Sequence, residues 1–334
     1  MVLDGKDPQA VAQAAALLAA GRLVAFPTET VYGLGADAAN DAAVAGIFAA
    51  KGRPSDHPLI VHVADASQAG HFARDVPAFA RALMDAFWPG PLTLIVPRRP
   101  GVAAASAGGQ DTIGLRCPSH PVAQALMAAC LRATPAVHGI SGPSANRFGR
   151  VSPTTAAHVR SEFDDTVPVL DGGPCDVGIE STIIDCTRGV PVLLRPGAIT
   201  REQVAAACGL PVRSQQELAD AMPAAPRASG TLEAHYAPTA RVRLMDAASL
   251  QTALDVLGAD ATGIATWSRA ILQTPSRRVL RRGMPHDAAE AARQLFAVLR
   301  EFDARGVSLI WIETPPDTPD WEGVRDRLQR AAAA

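Results

Sequence analysis

Three apolar runs, over residues 166–171, 181–186 and 191–195, follow one another too closely for a helix to fit between each pair. A parallel crossover needs about a dozen residues or more, so neighbours within this group have to run antiparallel. Elsewhere the pattern alternates. Helical periodicity covers residues 8–20, 41–51, 67–87, 119–132 and about 200–208, with Asp7 as an N-cap and Pro8 in the first turn. Extended apolar runs cover 22–27, 59–63, 92–96, 112–117 and 135–140. The combination predicts a mixed α/β sheet over residues 1–210, not a purely doubly wound one.

Residues 211–239 change character. Their prolines and small residues carry no apolar period and read as a linker. The rhythm restarts over 240–334, with strands at 240–245, 262–267 and 307–313 and helices at 247–257, 286–304 and 321–332. That spacing predicts a small open parallel sheet.

Apolar residues make up 48% of the 334, and the formal net charge is −2. A buried core is affordable, and bulk charge announces no nucleic-acid partner. Five cysteines, none in a CxxC pair, argue against a disulfide framework or a zinc ribbon and fit a reducing cytosol. The N-terminal stretch lacks the basic start of a signal peptide, and no apolar run approaches the ~20 residues of a membrane span.

The chemistry concentrates in short segments. Residues 27–35, PTETVYGLG, place hydroxyls, a carboxylate and glycines directly after an apolar strand. Residues 51–58, KGRPSDHP, hold Lys51 and Arg53 two apart. In an extended segment both would face one anion, and no common phosphate loop competes for that role. A solvated basic turn is the plainer alternative. In TIGLRCP (112–118), alternation puts Thr112, Gly114 and Arg116 on one face. A strand arginine needs a partner, either a carboxylate ligand or one of the 33 acidic residues of the chain. SGPSAN (141–146) can offer backbone N–H groups to an anion or form an ordinary turn. Ser181 enters one strand and Arg195 leaves another. His57 and His62 form no metal-binding pattern, and Arg277, Arg278, Arg281 and Arg282 suit a solvated edge strand better than an RNA contact.

Each signal alone is weak, but their order is specific. PTETVYGLG, KGRP-x-x-x-PLIVHV, WPGPLTLIV, TIGLRCP, PSAN, DGG, GIESTIID and VLLRPG together resemble the YrdC family of threonylcarbamoyl-AMP synthases over about residues 10–210. The remainder resembles the long, two-domain form. The resemblance implies a twisted mixed sheet with helices (1–210), a linker folding over the active site (211–239) and a smaller Rossmann-like parallel α/β domain (240–334). It also implies a nucleotidyltransferase that forms threonylcarbamoyl-AMP and pyrophosphate from L-threonine, bicarbonate or CO2, and ATP. The product would feed N6-threonylcarbamoyladenosine formation in tRNA in the cytoplasm, through a downstream transferase machinery, with a weak tRNA or double-stranded RNA contact also open.

By the same resemblance, L-threonine falls to Thr30, His62, Arg116, Gly142 and Ser181. ATP falls to Arg53, His57, Thr112, Ser144, Ser152, Arg195 and His235, with Mg2+ carried on its phosphates. Lys51, Arg53 and Arg195 are the catalytic cations. The linker departs from the family pattern, with Leu232, Glu233 and Ala234 before His235 where relatives carry an aromatic. Two other readings are a non-catalytic RNA-binding module and a carbamoyl-transfer domain of the hydrogenase-maturation type. The latter usually carries zinc-finger cysteines that this chain lacks.

Overall fold

The computed structural model describes residues 1–218 and 225–334, and the described chain divides into two compact units. The first comprises Met1–Phe148, Ser152–Asp176 and Glu180–Thr231; the second comprises Gly149–Val151, Val177–Ile179 and Leu232–Ala334.

The first unit carries strands β1 (Val2–Asp4), β2 (Val24–Phe26), β3 (Gly33–Asp37), β4 (Ile60–His62), β5 (Leu92–Pro97), β6 (Thr112–Arg116), β7 (Ile140–Ser141), β8 (Val169–Asp171), β9 (Thr182–Asp185), β10 (Val192–Arg195) and β11 (Arg213–Ser214). Its helices are α1 (Pro8–Ala19), α2 (Asp41–Lys51), α3 (Ala69–Phe72), α4 (Ala78–Phe87), α5 (Pro121–Leu131), α6 (Ala156–Phe163), α7 (Arg201–Cys208) and α8 (Gln215–Leu218). The strands form one mixed sheet in the order β1-β8-β2-β3-β7-β4-β6-β5-β9-β10-β11. As the close spacing required, β9 and β10 pair antiparallel.

Period-two alternation feeds separate cores. Val24 and Phe26 of β2 face α1 and α5, packing with Leu18, Leu126 and Met127. Ala25 faces the other way, into a core with Ile47 of α2 and Val159 of α6. Farther along, Leu92, Leu94 and Leu115 pack with Leu83 of α4 and Val204 of α7. Asp7 caps α1 by accepting from the Gln9 N–H at 2.9 Å.

Several stretches differ from expectation, among them the start of the 211–239 linker, which carries β11 and α8. Residues 67–87 break into a short 3-10 turn, α3 and α4, because the chain is extended at Ala73 and at Pro77, just before α4. Of residues 135–140 only Ile140 is in a strand, consistent with Pro135 lacking a ladder donor. The glycine-rich β3 and the polar α6 gave no readable period. In β3, a Cβ on Gly35 would lie 2.9 Å from Ile140 Cγ2, so close packing explains the glycine there. Helix α6 is set by Thr155, which caps the His158 N–H at 3.2 Å.

The second unit holds β12 (Arg241–Met245), β13 (Ile264–Ser268), β14 (Leu280–Gly283) and β15 (Leu309–Glu313), with α9 (Ala247–Leu257), α10 (Ala288–Ala304) and α11 (Glu322–Ala332). The sheet order is β12-β15-β13-β14, and every pairing is parallel. Arg281 and Arg282 lie on the edge strand β14, exposed to solvent. Among the described residues no helix is long and apolar enough to cross a membrane.

Candidate active site

Strands β4, β6, β5 and β9 lie side by side in the first unit; they carry His62, Thr112 and Arg116, and Ser181 directly precedes β9. His62 of β4 is in register with Arg116 of β6. The buried Arg116 guanidinium donates to Glu29 Oε1 at 2.6 Å, to Thr30 Oγ1 at 2.8 Å and, more weakly, to the Gly90 carbonyl at 3.4 Å. Glu29 Oε2 accepts from the Ser119 N–H at 3.1 Å, and Thr30 Oγ1 lies 2.9 Å from Thr28 Oγ1. The partner demanded by a strand arginine is therefore Glu29. These contacts use three of the five guanidinium N–H groups and leave two for a ligand.

The His62 ring is buried edge-on against Phe26, 5.6 Å between centroids, with Nδ1 3.4 Å from the Ile140 carbonyl. Burial, and then the charge of Arg116, pull its pKa down to about 3. The ring is thus neutral at pH 7 and a poor proton acceptor, suited to orienting a polar group. Gly142 allows this packing: a Cβ there would lie 3.0 Å from His62 Nδ1 and 3.0 Å from Phe26 Cζ.

Lys51 corrects an expectation. It does not share an extended segment with Arg53; it ends α2, and Gly52 follows in the left-handed conformation at φ 63°. The buried Lys51 ammonium donates to the Ser144 carbonyl at 2.6 Å and to the Asn146 carbonyl. Burial, then the charge of Arg53, hold its pKa well below 10.5. Lys51 thus pins the loop containing Ser144.

Arg53 points elsewhere. It donates to the Pro58 carbonyl at 2.9 Å and to Ser229 Oγ at 3.0 Å, with its guanidinium 5.8 Å from the centre of the Phe148 ring. His57 packs edge-on to the same ring. Arg195, buried, donates to the Ser229 carbonyl at 2.9 Å, to the Ser181 carbonyl at 2.9 Å and to Ser181 Oγ at 3.1 Å. Ser181 Oγ also lies 2.7 Å from Thr93 Oγ1. Ser152 donates to Glu180 Oε1 at 2.5 Å. His235 belongs to the second unit, where its ring packs on Tyr236.

A groove runs beside Ser229, the residue that both arginines contact. Ile60, Thr93, Ile95, Thr112, Gly114 and Ile183 line it from the sheet, together with Arg227, Ala228 and Ser229 from the segment after α8. Its remaining volume is about 10 Å³, room for roughly one water. The segment is anchored by Arg227, which pairs with Asp56 at 2.7 Å and whose backbone N–H donates to Gln110 Oε1 at 2.8 Å. Sequence reasoning missed Ser229, Thr93 and Glu29. Thr93 and Glu29 lie inside motifs already singled out, where alternation along LTLIV and the need for a buried arginine partner were available signals.

A family model described as "Telomere recombination", spanning the Sua5, YciO and YrdC proteins, matches residues 16–197 and sets the class of the first unit. A second, described as "Threonylcarbamoyl-AMP synthase, C-terminal domain", matches residues 199–333. The chain is 41% identical to a threonylcarbamoyl-AMP synthase of Bacillus subtilis, over 99% of its own length and 94% of that protein. It is 37% identical to one of Pyrococcus abyssi, over 96% and 93%. A crystal structure of P. abyssi Sua5 complexed with L-threonine superposes with a TM-score of 0.87 at 34% identity, covering 98% of this chain and 95% of that one. The chain belongs to the threonylcarbamoyl-AMP synthase family.

Proposed function

We propose that the chain condenses L-threonine, bicarbonate or CO2, and ATP into threonylcarbamoyl-AMP with release of pyrophosphate, and that a downstream transferase machinery uses the product to form N6-threonylcarbamoyladenosine in tRNA. Family membership supports the ATP-dependent synthesis. The observation that carries the site assignment is the contact between Arg195 and Ser181 at 3.1 Å, which joins an expected phosphate ligand to an expected threonine ligand.

The chemistry asks for positioning and charge neutralisation more than for a protein nucleophile. A neutral threonine amine attacks the carbon of CO2 with loss of a proton, or of bicarbonate with loss of water, and forms a carbamate. A carbamate oxygen then attacks the α-phosphorus in line, and pyrophosphate leaves. In this reading the two remaining N–H groups of Arg116 bind the threonine carboxylate, with Glu29 holding the guanidinium in place. Thr30, neutral His62 and Ser181 orient the amino acid, and Gly142 keeps the pocket open. Arg53 and Arg195 stabilise the charge that develops on the leaving pyrophosphate. His57, Thr112, Ser144 and Ser152 complete the ATP site, and Lys51 acts by fixing the Ser144 loop. Among the described residues no cluster of three metal-ligating side chains occurs. Mg2+ would be carried on the triphosphate, where it would screen phosphate charge.

Because Ser229 holds donors of Arg53 and Arg195, ATP phosphates binding those arginines would displace the Arg227–Ser229 segment. Carbamates hydrolyse readily, so the same segment closing over the loaded site would exclude water. The test is pyrophosphate release from ATP with threonine, serine or no amino acid, with and without bicarbonate. Release that requires both threonine and bicarbonate is expected; release indifferent to both would refute the reading.

A further inference from the structure

Parallel sheets are ordinarily covered by helices on both faces. The four-stranded sheet of the second unit satisfies this on one face only. Val242, Ala265, Trp267, Ile310 and Ile312 are buried on the side where α10 and α11 supply apolar residues such as Phe296, Leu299 and Leu328. The opposite face has a single helix. There α9 contributes Leu250 and Leu254 to a small core with Ile264, Leu272 and Val279. Toward β12 this face carries the exposed Arg241 and Arg243, with the half-buried Met245 packing against that core.

The result is a groove of about 640 Å³ between α9 and β15, lined by Ala253, Val256, Leu257, Ile264, Leu309 and Trp311, with Asp260 at the α9 end. Val256 is 81% exposed and Leu257 41%. On the adjacent edge strand, Arg241 is in register with Leu309 and Arg243 with Trp311, on the same face. Both arginines are exposed, and neither forms an ion pair with any described residue. Other arginines of this unit are matched: Arg282 with Glu301, Arg293 with Glu290, Arg325 with Asp317.

We propose that this face docks an amphipathic helix of a partner protein, with its apolar stripe on Leu309, Trp311 and Val256 and an acidic flank along Arg241 and Arg243. Three observations select that occupant. A second helix is what normally completes such a layer. The walls are aliphatic and aromatic, as in helix-binding grooves. Arg241 and Arg243 make the β12 side of the rim basic, and tryptophan and arginine together mark residues that dominate protein interfaces. A nucleic acid would instead favour a broad basic surface, whereas Arg277, Arg278 and Arg281 lie at or next to β14, the opposite edge of the sheet from Arg241 and Arg243. The docking face is independent of the synthase reading.

The probe is a fluorescein-labelled alanine-based helix of about sixteen residues, ~24 Å long, with a leucine stripe and a row of glutamates along one flank. Its control carries lysines at the same positions. Anisotropy titrations of the full chain are expected to show at least ~10-fold tighter binding of the glutamate peptide, equivalent to ~1.4 kcal/mol. Val256→Glu should weaken that binding by a similar factor. The double variant Arg241→Glu/Arg243→Glu should reverse the preference in favour of the lysine peptide, while threonine-dependent pyrophosphate release stays at the wild-type rate in both variants. Equal affinity for the two peptides, no binding, or binding unaffected by the substitutions would overturn the proposal. So would a single-stranded RNA of similar length that displaces the peptide and is lost with the same arginines.

Discussion

Arg53 and Arg195 meet on one residue: Arg53 donates to Ser229 Oγ at 3.0 Å, and Arg195 donates to the Ser229 carbonyl at 2.9 Å. They come from the turn after α2 and the end of β10, more than a hundred residues apart in sequence. Ser229 therefore occupies donors that the phosphates of ATP are expected to use. Removing its hydroxyl removes the bond to Arg53 and the bond to Pro58. A hydrogen bond of this kind is worth about 0.5–1.5 kcal/mol net. Ser229→Ala should therefore bind a non-hydrolysable ATP analogue roughly 3- to 10-fold more tightly. An unchanged dissociation constant in calorimetric titration would show that the segment does not compete with nucleotide.

Arg195→Ala should lose at least ~2 kcal/mol of transition-state stabilisation, about 30-fold in kcat/KM for ATP, the scale of removing one charge-stabilising donor. Steady-state pyrophosphate release checks this, and a wild-type value would remove Arg195 from the mechanism.

Lys51→Met should behave differently. The substitution leaves the Ser144 and Asn146 carbonyls without their buried donor, at a cost of about 1–3 kcal/mol of folding stability. Because Lys51 works by pinning the loop, the KM for ATP should rise more than kcat falls. A collapse of kcat with unchanged stability would restore Lys51 to direct contact with the reacting phosphates.

His62 makes a pH-dependent contribution with a defined sign. Its pKa is about 3 in the folded protein and 6.5 when unperturbed. Between these values the unfolded chain binds a proton that the folded chain refuses. Stability from this group is fully present above pH 6.5 and is lost as pH falls, at up to ~1.4 kcal/mol per unit. Comparing urea midpoints of wild type and His62→Gln from pH 7 to pH 5 should show a shallower acid loss in the variant. Parallel curves would mean that the ring is solvated or charged in the fold.

Gly142→Ala would push a methyl group to 3.0 Å from His62 Nδ1 and Phe26 Cζ. Overpacking of this kind costs about 1–3 kcal/mol. Displacement of the His62 ring should raise the KM for threonine while leaving that for ATP unchanged, measurable in the same assay.

Much of this was legible in the chain because local rules and tertiary packing agree. Helix α2 matches the expected range 41–51; Asn40 caps it, Gly52 ends it, and Val44, Ile47 and Phe48 form its buried side. The antiparallel β9–β10 pair followed from chain length alone. Strand β3 was hidden because glycines needed for close packing erase the alternation that marks a strand. Within the site, Arg116 declared its need for a partner but not that Glu29 would fill it, since pairing between distant segments has no one-dimensional signature. Lys51 misled because a lysine two residues before an arginine looks like an extended cationic pair until Gly52 turns the chain. Ser229 was invisible for a simpler reason: its role comes from where a segment without periodicity comes to rest.

The decisive observation is the fate of 14C-bicarbonate incubated with the full chain, ATP and threonine, resolved by chromatography of the nucleotide products. The structure predicts label in an adenylate that appears only when threonine and ATP are both present, and that falls by about 30-fold with Arg195→Ala. ATP turnover without any labelled adenylate, or label that forms equally well without threonine, would contradict it.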